Sequence, residues 1–226
     1  MWSPNVAGWE RTERERLFTA IFAESCVASS EALLALLTTL HRRRPTEWAH
    51  AQRVASIAMQ IGRELALPER LLLDLERASW LHDLGKMVVS DRTSSVSEVV
   101  QPADVAIWSR QLFAAGAIIE AAPALKPAAA FVLASRECVD GTGFPHRLVG
   151  EDIPLGARIV HVADTYDALT ELCAVFSVSS DSINAELTRH VGTRFDASVV
   201  AAWLRCADGA PTPSSARSGD DAGSLF

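Results

Sequence analysis

Four polar side chains in this 226-residue chain fall on helix faces that are otherwise apolar. His50 precedes Val54 by one helical turn, on the stripe Val54, Ile57, Ile61 and Leu65. The adjacent pair His82-Asp83 continues a second stripe of Leu71, Leu75 and Ala78, and Asp164 shares a face with Ala157, Val160 and Ala168. Burial of an imidazole or a carboxylate needs a partner. Each residue alone has a plainer reading: a histidine bonded to a carbonyl, a chance His-Asp dipeptide, an aspartate capping a helix. Together, two imidazoles and two carboxylates converging from three helices make a mixed nitrogen and oxygen site for one divalent transition metal, to which Mn, Fe, Ni and Zn are all suited. An ion with an open position brings the pKa of a bound water toward neutrality and supplies a hydroxide nucleophile. Taking the ion away should destabilise the fold, because Asp83 and Asp164 would be left close together without counter-charge.

The elements that must position these residues read as helices almost throughout. Apolar periodicity and helix-forming composition predict helices over 10–23, 31–40, from 46 to just before Pro68, from there to Gly85, and over 103–121, 126–136, 158–171, 181–191 and 197–206. Leu33, Leu34, Leu37 and Leu40 line one face of the second, a stripe that serves either a core or a homodimer. The Ser- and Val-rich stretch 90–101 reads as irregular. The Gly- and Pro-dense DGTGFPHRLVGEDIPLGAR reads as a long structured loop of the kind that carries function. Nothing alternates like a strand, so the class is all-α. The expected organisation is an N-terminal helical extension over 1–44, a main domain over 45–206 and a disordered tail over 207–226.

Composition narrows the partners. Hydrophobic residues make up 49% and charged residues 22%, enough for a sizeable core. With 28 acidic and 21 basic residues the net charge is −7, which argues against a nucleic-acid polymer or an anionic membrane as partner. Cys26, Cys138, Cys173 and Cys206 form no CxxC pair, so reduced thiols and a cytoplasmic location are expected. The apolar run 121–135 is too short to span a bilayer and contains Lys126.

The ordered set H…HD…D resembles the HD superfamily of metal-dependent phosphohydrolases, and WLHDLGK resembles the LHDIGK signature of its HD-GYP branch. DGTGFP at 140–145 is similar to that branch's DGxGYP, with Phe144 for the tyrosine. GEDIPLGARIVHVADTYDALT and GTRFDASVVAAWL resemble its later motifs. The resemblance covers about 45–206. It implies an HD-domain helical bundle with an irregular GYP-type loop and a phosphodiesterase acting on cyclic di-GMP. It also implies His50, His82, Asp83 and Asp164 as ligands of the first metal, with Asp83 orienting the water as well. Lys86 becomes a contact to the scissile phosphate, against the plainer reading of a cation at a helix C-terminus. Glu137 becomes a further metal ligand, and Asp140 and Gly141 part of the substrate-binding loop.

The chain departs from the family at three positions. The family's second metal takes a histidine from an HPxxG helix and two from an HHE triplet; here those places hold Leu112, Ser135 and Arg136. His41, His146, His161 and His190 occupy no obvious substitute position. Arg136 offers a permanent cation able to hold a phosphate by a bidentate fork, or else neutralises Glu137 or Asp140 at the rim. Two functions follow as expectations: a one-metal phosphohydrolase with weakened or lost activity, and a degenerate domain that senses a cyclic dinucleotide or docks a signalling protein through the 140–158 loop.

Overall fold

The computed structural model describes residues 27–89, 102–176 and 180–209. Among them are eight α-helices and no strand: α1 (Val27–Arg43), α2 (Pro45–Glu64), α3 (Glu69–Leu81), α4 (Pro102–Glu120), α5 (Lys126–Leu133), α6 (Leu155–Phe176), α7 (Ser180–Arg189) and α8 (Ala197–Gly209). The all-α expectation holds. The predicted helix over 10–23, the irregular stretch over 90–101 and most of the predicted tail lie outside the described residues.

Helix α2 is the axis of the bundle, with α1, α3, α6 and α8 packed around it and α4 and α5 closing the side beyond α3. Its apolar stripe sinks Val54, Ala58 and Ile61 completely, against Leu75 and Leu81 of α3 and Ile159 and Val160 of α6. Leu33, Leu37 and Leu40 of α1 enter this same core, so the leucine stripe of the predicted extension is spent within the chain. On α3 the predicted stripe holds at Leu75, Ala78 and His82 and differs only at its first position. There Leu72 is buried and Leu71 is 40% exposed. No described helix is long and apolar enough to cross a membrane.

Two boundaries matter for chemistry. Helix α5 ends at Leu133, three residues before the predicted limit, where Ser135 Oγ donates back to the Val132 carbonyl at 2.8 Å. Ser135 and Arg136 therefore sit in a turn, and the chain continues into the 138–154 loop. That loop covers a small apolar cluster of its own, with Ala134, Ile153 and Ala157 against Val139 and Leu148. Gly143 makes its tight return possible: a Cβ there would stand 2.2 Å from the Cys138 nitrogen.

Helix α8 is started by Asp196, whose Oδ1 accepts from the Ser198 and Val199 nitrogens while Oδ2 pairs with Arg158 of α6. Burial opposes its ionised form, but the Ser198 and Arg158 bonds outweigh it and hold the carboxyl below its ordinary 3.8. A depressed folded-state value stabilises the fold above the unfolded value, and that stability is lost as pH falls through the folded one. Asp196→Ala should lower stability by about 2 kcal/mol at neutral pH, with the deficit shrinking below about pH 4. Chemical denaturation of both proteins across pH checks this, and a deficit that persists undiminished into acid contradicts it.

Candidate metal centre

His50 comes from the first half of α2, His82 and Asp83 from the end of α3, and Asp164 from the middle of α6. All four sequence-predicted ligands meet. His50 Nε2 lies 3.3 Å from His82 Nε2, 3.1 Å from Asp164 Oδ1 and 3.6 Å from Asp83 Oδ2. His82 Nε2 lies 3.5 Å from Asp83 Oδ2 and 3.6 Å from Asp164 Oδ1. Neighbouring donors of one ion bound at about 2.0–2.2 Å are separated by such distances. The donor set therefore fits a divalent transition metal, and His50, His82 and Asp83 form a potential ligand group among the described residues.

Hydrogen bonds behind the ligands fix the imidazoles. His82 Nδ1 donates to the Ser79 carbonyl at 2.8 Å, which leaves its Nε2 as a lone pair facing the cluster. His50 Nδ1 donates to Asp167 Oδ2 at 2.7 Å, and Asp167 is clamped in turn by Arg53 at 2.7 and 2.9 Å. Second-sphere carboxylates of this kind orient a metal-binding histidine. Asp167 and Arg53 went unnoticed in the sequence, although each follows a ligand by three residues, on the same helical face. Burial opposes a charged His50, but its contacts with Asp164 and Asp167 prevail and push it up to about 10. An ion at His50 Nε2 would compete with a proton there.

The carboxylates already have counter-charge. Lys86 Nζ donates to Asp83 Oδ2 at 2.5 Å, and Arg136 Nη2 stands 3.0 Å from Asp164 Oδ2 and 3.9 Å from Asp83 Oδ1. Against the cost of burial, these cations and the imidazoles hold both carboxyls below the ordinary range. This changes the expectation that an empty site would strand Asp83 and Asp164: Arg136, Lys86 and protonated His50 stand in for an ion. Arg136 pairs with neither Glu137 nor Asp140 at the rim; its partners are Asp164 and Asp83.

Three predicted residues are not brought to the cluster. Glu137 is buried, but its Oε1 and Oε2 accept from the His146 and Leu148 nitrogens at 2.7 and 3.1 Å, so it supports the loop and faces away from the proposed ion. Asp140 is exposed and closes a turn with Thr142, accepting its N–H at 2.9 Å. Gly141 supplies the positive φ of 82° that this turn needs. Leu112, at one of the positions where the resemblance would place a second-metal histidine, lines a cavity of about 200 Å³ with His82, Asp83, Lys86, Gln111 and Arg136. Across the cluster a larger cavity of about 560 Å³ is bordered by His50, Lys86, Arg136, Asp164, Thr165 and Arg194. Lys86 and Arg136 are common to both.

Residues 35–199 match the model of the HD domain, and the chain belongs to that family. It is 29% identical over 140 residues to a cyclic di-GMP phosphodiesterase of Thermotoga maritima, covering 61% of this chain and 38% of that protein. It is 30% identical over 178 residues to the cyclic di-GMP phosphodiesterase response regulator RpfG of Xanthomonas campestris pv. campestris, covering 77% of this chain and 47% of that protein. The chain thus spans less than half the length of either relative. Its fold is similar to a crystal structure of cyclic GMP-AMP specific phosphodiesterases in V. cholerae, with a TM-score of 0.63, 20% identity, and coverage of 81% of this chain and 49% of that one.

Proposed function

We propose that this HD domain is a cyclic-dinucleotide phosphodiesterase domain that uses one metal ion, holding its ligand firmly and cleaving it slowly. The supporting observation is Arg136: a guanidinium lies against Asp164 and Asp83 where the family carries a histidine for a second ion. A divalent ion held by His50, His82, Asp83 and Asp164 would supply an acidified water at neutral pH. His82 contributes a fixed lone pair, and Asp167 keeps His50 turned toward the cluster. Lys86 and Arg136 border both cavities, so a phosphodiester lying between them meets two cations at once. Arg136 commits Nη2 to Asp164 and keeps other N–H groups for a phosphate oxygen. A guanidinium neutralises charge but generates no nucleophile and binds no departing alkoxide as an ion does. Several kcal/mol of transition-state stabilisation are therefore missing relative to a two-metal centre, while ground-state affinity survives.

Elemental analysis of natively purified protein, together with cyclic di-GMP turnover under added manganese or iron, tests this. The expected result is at most one ion per chain and slow hydrolysis beside clear binding. Two ions at full occupancy with rapid hydrolysis would overturn it. Binding with no hydrolysis under any metal would favour the second reading, a cyclic-dinucleotide sensor, which the same replacement of histidine by Arg136 supports.

A further inference from the structure

We infer that Arg194 anchors the second, non-reacting phosphodiester of a cyclic dinucleotide and so gives the site its preference for ligands with two phosphodiesters. This rests on the function proposed above. Arg194 lies in the loop between α7 and α8 and borders the 560 Å³ cavity together with Lys86 and Arg136. A cavity of that volume suits a ligand larger than a single phosphate ester.

The three cations are held differently. Lys86 and Arg136 pair with Asp83 and Asp164, the carboxylates of the metal cluster. Arg194 has no carboxylate within ion-pair distance among the described residues. Its Nε donates to His161 Nε2 at 3.1 Å, and its Nη2 donates to Thr165 Oγ1 at 3.3 Å.

His161 accepts that bond only as a neutral imidazole with its proton on Nδ1. The geometry supplies this tautomer, because Nδ1 donates to the Glu137 carbonyl at 2.8 Å. His161 is buried beneath the cavity wall, and the edge of its ring packs against Phe195. The same Phe195 ring lies 5.0 Å from Arg194 Cζ. The guanidinium is thus aimed by two neutral acceptors and backed by an aromatic face, with no carboxylate of the described residues in ion-pair contact.

Burial and the neighbouring Arg136 work against the Arg194 charge, which Asp164 and Glu186 favour only from beyond ion-pair distance. The cavity also carries Glu47, Asp164 and Glu171, but its two guanidinium groups, one of them in no ion pair, offer contacts for more than one negative charge. Lys86 and Arg136 already serve the phosphodiester beside the cluster. A cyclic dinucleotide brings a second phosphodiester on the same ring, and Arg194 is the cation left to meet it.

Calorimetric titration of metal-loaded protein with cyclic di-GMP and with the linear dinucleotide GpG separates the possibilities, since GpG has the same bases and one phosphodiester. The wild-type protein should bind cyclic di-GMP at least tenfold more tightly than GpG. Arg194→Ala should lose about tenfold for cyclic di-GMP and less than twofold for GpG. Arg194→Met keeps the stem packed over Phe195 and should behave the same way, so a poorly folded alanine variant does not decide the matter. Equal losses on both ligands, or no loss on either, would overturn the assignment of Arg194 while leaving the proposed function standing. Wild-type protein that binds neither ligand would overturn both.

Discussion

In the presence of a chelator, Arg136→Ala should melt about 4–8 °C below the wild-type protein, and saturating manganese should close most of that gap. Asp83 and Asp164 are buried, and Arg136 stands 3.0 Å from one and 3.9 Å from the other. Removing one partner of a fully buried pair costs about 3–5 kcal/mol. Here the figure falls to about 2 kcal/mol, because the Arg136 side chain is 31% exposed and Lys86 and His50 still face the carboxylates. For a chain of this size 1 kcal/mol corresponds to about 2–4 °C. The same substitution removes a positive charge beside the ion, so manganese affinity should rise by about tenfold or more. Melting curves with and without ion, plus a manganese titration, measure both effects. Unchanged melting in chelator, or weaker manganese binding by the variant, would show that Arg136 is no counter-ion.

The second large effect belongs to Gly85, in the turn between the ligands and Lys86. A Cβ there would lie 1.8 Å from the Gln111 carbonyl oxygen and 2.8 Å from its Cα, both backbone atoms of α4. Neither can step aside without moving the helix or the turn that carries Asp83. Gly85→Ala should therefore lower stability by about 3 kcal/mol and weaken metal binding by at least tenfold. Gly116→Ala is the control. Its added methyl meets only the Leu133 side chain, at 2.7 Å and beyond, which can change rotamer, so the cost should stay below about 1.5 kcal/mol with metal binding intact. Denaturant unfolding and metal titration of both variants make the comparison. A Gly85→Ala protein as stable as the control would show that α4 is not pinned to the turn.

The parts of this molecule legible in its sequence are those governed by period. A 3.6-residue repeat places His50 above Val54 and Asp164 above Val160 before any coordinate is known. What escaped was decided by single hydrogen bonds. KPAAAFVLASR is helix-forming throughout, yet the Ser135 hydroxyl satisfies the Val132 carbonyl and the helix stops, which swings Arg136 toward Asp164. Glu137 carries a carboxylate suited to a metal, but two loop N–H groups claim it. Asp140 sits in the most recognisable motif of the chain and faces water, because its turn with Thr142 is local. Arg194 and His161 stand far apart in sequence, each unremarkable until α6 and the α7–α8 loop are packed together.

A tethered cation does not dissociate. Where two free ions must both arrive, the fraction of chains ready to act follows the square of the free ion concentration when that concentration is low. If Arg136 takes the place of one of the two ions, as proposed, the ready fraction would follow the first power. On the one-ion reading proposed above, such a domain would keep its response to a cyclic dinucleotide through a metal scarcity that silences a two-ion centre, and would give up speed for that constancy.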